Sequence, residues 1–191
     1  MESSEFSLVA DRIYGCECTT CPLHPRVGRP GFFPKFGAGG TSEPLLGLVT
    51  MNPGPPDSEQ QAFTRQTLSR TRMHHSYDQG LRRYHLEPRG GALDLPAMIG
   101  VRTGIAWSQV YYTELAKCVT TKAEARDGTR KAALSVCSNE FLASELSALP
   151  SFRALLCLGG AAFETVLEIV RASPALARLM EGDRILRVSA T

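Results

Sequence analysis

The sequence predicts an α/β fold, a three-layer αβα arrangement around a central, mostly parallel four-stranded sheet. Two observations carry that expectation. Short apolar runs of strand length alternate along the chain with stretches whose apolar residues recur at helical spacing, and the runs end in glycine, proline or polar turns. Strands that alternate with helices require crossover connections, which place helices on both faces of a parallel sheet.

The elements follow in order. The opening segment is amphipathic, with Phe6, Val9 and Ile13 able to share one helix face. "VGRPGFFPKFGAGGTSEP" contains five glycines and three prolines, so a loop is expected. "LLGLVTM", residues 45–51, is a buried strand that breaks at once into "NPGPP". From Ser58 to about Arg83 the chain is helix-compatible and basic, with Arg65, Arg70, Arg72, Arg82 and Arg83 plus His74, His75 and His85. A poorly periodic, glycine- and proline-punctuated stretch runs on to about Trp107. The region 65–107 is therefore expected to be an insertion in a single domain spanning 1–191.

"QVYYTELAKC" supplies the second strand. The following helix carries Ala133, Val136, Cys137, Phe141, Leu142 and Leu146 at helical spacing and ends at Pro150. "RALLCLGG" is the third strand, "AAFETVLEIV" a helix and "RILRVSAT" the fourth strand. In sheets of this kind ligands sit beyond the carboxyl ends of the strands, so the turn at Asn52 and the end of "TELAKC" are the places to look for function.

Composition narrows the chemistry. A net charge of +2 demands no nucleic-acid partner but permits one where basic residues cluster. No stretch approaches the roughly 18 consecutive apolar residues of a membrane span, and acidic residues interrupt the first fifteen positions, so a soluble, cytoplasmic protein is expected. In a reducing compartment, clustered thiols are more often metal ligands or catalytic groups than disulfides. Of six cysteines, Cys18 and Cys21 are two residues apart, while Cys118 and Cys137 lie far downstream. Two remote pairs that a compact fold brings together suit a four-thiolate site. Ordinary burial of Cys118 and Cys137 in the core is the competing expectation. Cys157, inside an apolar strand, reads as core, and Cys16 as a spare.

Taken jointly, "CTTCPLHPR", a glycine-rich loop, an apolar strand ending in Pro-Gly, "YYTELAKC", "CSNEFLASEL" and "ALLCLGGAA" resemble the iron–sulfur class of the uracil-DNA glycosylase superfamily, from Cys18 to about Val166. The resemblance implies a base-excision enzyme that hydrolyses the N-glycosidic bond of a flipped, damaged base by direct attack of water. It implies that Cys18, Cys21, Cys118 and Cys137 hold a structural [4Fe–4S] cluster, with zinc as the alternative occupant. It also implies a monomer whose partner is DNA, single-stranded or a mismatched or damaged duplex, with no membrane association.

Asn52 stands where relatives place the residue that positions water, and it matches the Asn-Pro-Gly form of other classes. The iron–sulfur class has Glu-Ala-Pro-Gly at this turn, with Met51 here in the glutamate's place. Phe63, 11 residues after Asn52, lies near the distance of the family's base-stacking Phe. Glu114 occupies the place of the Asn that reads uracil. An ionised carboxylate only accepts hydrogen bonds. Glu114 therefore better suits a base edge offering two donors, such as that of a guanine-like lesion, unless burial protonates it. The family's His-Pro-Ser segment follows the fourth strand, and "RVSAT" stands at or just before that point. The alternative function is an iron–sulfur nucleic-acid-binding domain of the same fold with lost or altered base specificity.

Overall fold

The structure, a computed structural model, describes residues 4–15, 19–23, 37–39, 43–51, 95–118, 120, 126, 128–182 and 184–188. Five strands form one sheet: β1 (Ala38–Gly39), β2 (Leu46–Thr50), β3 (Val110–Glu114), β4 (Ala154–Leu158) and β5 (Ile185–Val188), in the spatial order β1-β3-β2-β4-β5. The four longer strands are parallel, and the two-residue β1 pairs antiparallel with β3 at Ala38↔Tyr112 and Gly39↔Tyr111. The expected parallel four-stranded sheet is present, with β1 added from the glycine-rich loop.

The helices are α1 (Ser4–Gly15), α2 (Leu95–Thr103), α3 (Thr129–Cys137), α4 (Ala143–Ser147) and α5 (Gly160–Ala172). A π-helical turn, Ser138–Leu142, joins α3 to α4 with right-handed helical backbone on both sides, so the three pieces make one continuous helix. A 3-10 helix, Pro174–Met180, fills the connection from α5 to β5.

Side-chain alternation along the strands builds two cores. Val49, Tyr111, Leu155 and Cys157 point to one face, where they pack with Val9 and Ile13 of α1, with Cys137, Phe141, Leu142 and Leu146, and with Val166 and Val170 of α5. Leu46, Leu48, Val110 and Leu156 point to the other, where Ile99 of α2 covers them. Apolar residues on both faces explain why these strands read as continuous hydrophobic runs instead of alternating ones. Within the span expected to be an irregular insertion, α2 is regular and supplies part of this second layer.

The chain passes from β2 to β3 on one side and then crosses to β4 and β5 on the other. The order therefore reverses between β2 and β4, and a crevice at such a switch point is where open α/β sheets bind ligands. Thr50 and Met51 close the β2 side of that edge, and Leu158 with Gly159 the β4 side. Gly159 has φ 91°, a conformation that a side chain would strain, and it turns the chain directly into α5.

Candidate functional site

The strand ends come first. β2 and β3 are in register at Thr50↔Glu114, and their ladder runs past both strands: Leu115 N donates to Thr50 O and Ala116 N to Met51 O, each at 2.9 Å. Met51, half-buried, is thus bonded through its main chain to the segment that follows Glu114. By strand alternation Glu114 shares the α2 side with Tyr112, whose hydroxyl lies 3.0 Å from Thr50 Oγ1. Glu114 is only 2% exposed, so a residue expected to read a ligand is tucked beneath the sheet edge and not displayed on the surface. Asn52 and Phe63, expected to position water and to stack on the base, lie outside the described residues, as do the arginines from Arg65 to Arg83.

On the opposite face three cysteines belong to one buried cluster. Cys21 follows α1, Cys118 follows β3 and Cys137 ends α3; all three are buried and reduced. Cys21 is hydrogen-bonded to the Cys137 thiol, Cys118 is near enough to act on it electrostatically, and the main-chain N–H of Lys117 donates to its sulfur. The contact with Cys21 and burial hold the Cys137 thiol far above its ordinary range, against the pull of the Lys117 N–H. Neighbouring sulfurs cannot ionise together without a compensating cation, which is the condition a thiolate-bound metal relieves. Cys18, the fourth expected ligand, lies outside the described residues. Among the described residues no group of three or more His, Cys, Asp or Glu side chains is set as the ligand shell of a metal ion. The donor chemistry of Cys21, Cys118 and Cys137 fits a thiolate-bound metal, and Cys18 is the remaining donor of the expected set.

Cys157 behaves as expected of a core residue: it is fully buried on β4, and burial pushes its thiol up to about 12.

Sequence reasoning missed the polar cluster beside the thiols. Glu145, on α4, is completely buried; its Oε1 accepts from Tyr111 OH at 2.7 Å, Thr113 Oγ1 at 2.9 Å and Gly37 N at 3.1 Å, and its Oε2 from Lys117 Nζ. Lys117, 1% exposed, also donates to Thr113 Oγ1 and to the main-chain O of Glu114, each at 2.8 Å. All three ammonium protons are used and the carboxylate is ringed by donors, the condition under which burying an ion pair is tolerable. A signal was present. Glu145 sits on the apolar stripe of its helix, four residues after Phe141 and next to Leu146, where an acidic residue requires a buried partner.

A surface groove of about 550 Å³ lies between α1 and the π-helical turn, lined by Asp11, Arg12, Thr19, Thr20, Glu140 and Phe141. Arg12 bridges to Glu140 at 2.7 Å and lies over the Phe141 ring at 6.0 Å. The groove borders the segment that leads to Cys21. No helix of the described residues is long and apolar enough to cross a membrane. No protein-family model matches the chain, and no curated protein matches it.

Proposed function

We propose that this chain is a uracil-DNA glycosylase-like base-excision protein with a thiolate-held structural metal centre, a [4Fe–4S] cluster with zinc as the alternative. The observation that carries the reading is the burial of Cys21, Cys118 and Cys137, drawn from segments far apart in sequence, in one cluster where Cys21 and Cys118 both act on Cys137. Together with Cys18 they make the four-thiolate set that the family resemblance requires. The centre supplies no chemistry to the substrate; it ties the segments following α1 and β3 to the helix bearing Cys137.

In this reading the switch-point edge receives a base extruded from single-stranded, mismatched or damaged DNA. Asn52, next in the chain after Met51, holds the attacking water through its side-chain amide. Phe63 offers a stacking face, and the arginines between Arg65 and Arg83 neutralise phosphates. Glu114 reads the base edge. The protein acts as a monomer in the cytoplasm.

One observation favours altered specificity over uracil excision. A carboxylate 2% exposed at the base-reading place accepts from donors and repels the O4 carbonyl of uracil. A base edge with two donors suits it, and so does a binding domain that no longer excises uracil.

Protein purified without oxygen tests the centre: brown colour with iron and sulfide in equal amounts is expected, and a colourless, zinc-containing sample overturns the iron assignment. Excision assays on oligonucleotides carrying uracil, hypoxanthine, xanthine or an oxidised guanine test the activity. Release of a base with two donors on one edge, abolished by Asn52→Ala, is the expected result. Release that Asn52→Ala leaves unchanged refutes the assigned catalytic turn.

A further inference from the structure

We propose that the buried Lys117–Glu145 pair is the positioning device of the thiol centre, holding Cys118 and Cys137 at fixed separation before any metal binds. The inference rests on the metal reading above and adds residues that are not ligands. Three features of the geometry converge on it.

The first is adjacency. Lys117 precedes Cys118 in the chain, and its side chain hooks back onto Thr113 Oγ1 and Glu114 O, both at 2.8 Å. This folds residues 113–118 into a tight bend after β3 and leaves little freedom to the main chain that bears Cys118. The same residue reaches Cys137 directly, because its main-chain N–H donates to that sulfur. Metal-bound thiolates characteristically receive such outer hydrogen bonds, and removing an outer partner costs roughly 10–100-fold in metal affinity.

The second is helix phase. Cys137 and Glu145 lie eight positions apart, with the π-helical turn Ser138–Leu142 between them. At about 100° per residue, eight residues of regular α-helix would leave the two about 80° out of phase. A π turn absorbs one residue more than an α turn. The remaining seven steps amount to about 700°, close to two full turns. The π turn therefore brings Cys137 and Glu145 onto one face, so that the same helix contributes one group to the thiols and one to Lys117.

The third is the closed set of partners. Glu145 is anchored to the sheet through Tyr111 and Thr113 of β3 and to the residue before β1 through Gly37 N. It has no exposure to solvent, so the helix cannot slide along the sheet without stranding a carboxylate. A well-packed apolar pair would hold the helix equally well. What the ion pair adds is directionality, since it fixes the Lys117 side chain on Thr113, Glu114 and Glu145 in the residue next to Cys118.

The test compares the wild type with the double variant Lys117→Met/Glu145→Leu, which replaces the pair by apolar side chains and leaves no buried charge unpaired. Tyr111→Phe removes one donor to Glu145 without changing shape. Leu176→Ala, fully buried in the 3-10 helix, serves as a control for simple destabilisation. Cobalt(II) is titrated into metal-free protein, and the thiolate-to-metal charge-transfer band is recorded. The reaction of a mass-mapped disulfide reagent with Cys137 is followed in the absence of metal.

The double variant is expected to fold, as seen by circular dichroism, to bind cobalt roughly 10–100-fold more weakly with an altered charge-transfer band, and to expose Cys137 at least tenfold faster. Tyr111→Phe is expected to move both readouts in the same direction, and it decides the matter should the double variant fail to fold. Leu176→Ala should lower the melting temperature with the band unchanged. Wild-type affinity, band and thiol reactivity in the folded double variant, or in Tyr111→Phe if only that folds, would overturn the proposal. Failure of the wild type to bind cobalt, iron or zinc refutes the metal reading instead. The metal-free Cys137 rate then still decides whether the pair orders the thiols.

Discussion

Gly37→Ala is the severest single test of the packing around Glu145. A Cβ built at Gly37 falls 2.3 Å from Tyr111 Oη, 2.4 Å from Tyr111 Cζ and 2.7 Å from Glu145 Oε1. None of these atoms can yield freely. Tyr111 is 2% exposed and packs at 6.0 Å against the Phe152 ring, and Glu145 is fully enclosed. The main chain at Gly37 must then retreat, which breaks its 3.1 Å hydrogen bond to the carboxylate. Overpacking costs about 1–3 kcal/mol, and a hydrogen bond to a charged group about 1.5–3 kcal/mol. The sum is about 2.5–6 kcal/mol, and at roughly 2–4 °C per kcal/mol for a chain of this size the melting temperature should fall by about 5–24 °C. Two controls bracket it. At Gly47 the Cβ lies 2.5 Å from the Cδ2 end of Leu155, a contact with an apolar side chain that breaks no hydrogen bond to a charged group, so Gly47→Ala should cost less. Gly100, inside α2, has nothing within 4 Å, so Gly100→Ala should stabilise by about 0.5–1 kcal/mol. Scanning calorimetry of the three variants decides. A Gly37→Ala protein melting within about 2 °C of wild type, a shift worth about 1 kcal/mol or less, would show that the close approach of Gly37, Tyr111 and Glu145 has been misread.

Two further outcomes are expected. Burial raises the Cys157 thiol from 9.0 to about 12, so the native protein keeps a proton that the unfolded chain releases; the stability this reflects is intact below pH 9 and declines as the pH rises towards 12. Between pH 9 and pH 12 the wild type should lose stability progressively, and urea titrations of Cys157→Ala should lack that part of the decline; parallel profiles for the two proteins would contradict the assignment. Glu114→Asn, read by base release from a uracil oligonucleotide, should raise uracil excision about tenfold or more, since an amide restores one donor and one acceptor at a cost-sensitive contact of roughly 1–3 kcal/mol; an unchanged or lower rate would remove Glu114 from the base-reading role.

The layers of the fold were legible because burial on both faces of a parallel sheet leaves a plain signature. "LLGLVTM" and "RALLCLGG" yielded β2 and β4 within a residue or two, and the spacing of Ala133, Cys137, Phe141 and Leu146 yielded the long helix. The π turn was not legible, because apolar spacing at 137, 141, 142 and 146 suits either kind of turn. Nor was β1, whose two residues belong to a glycine-rich loop and owe their conformation to pairing with β3. Helix α2 was hidden in "LPAMIGVRT", where a proline and a glycine mask a segment that the second core recruits through Ile99. The expected metal set was legible only as spacing: three of its members, Cys21, Cys118 and Cys137, share one buried cluster, and Cys18 lies outside the described residues. The Lys117–Glu145 pair was half visible: a lysine beside a cysteine and a glutamate on an apolar stripe each require explanation, but only tertiary contact shows that each explains the other.

A single strand end serves both faces of the sheet, and this links the two halves of the proposed function. Alternation along β3 sends Tyr111 and Thr113 to the thiol side and Tyr112 and Glu114 to the α2 side. Lys117 crosses that division. Its ammonium is held on the thiol side by Thr113 and Glu145, yet it also binds the main-chain carbonyl of Glu114, the residue proposed to read the base. The main chain that carries Glu114 is thus fixed from below by the ammonium of Lys117, the residue whose main-chain N–H acts on Cys137. In the proposed function, metal binding and base reading would therefore both depend on one short bend, residues 113–118. On that proposal, a structural centre here would make rigid the segment on which the buried Glu114 carboxylate must be held to within a fraction of an ångström, as discriminating one base edge from another demands.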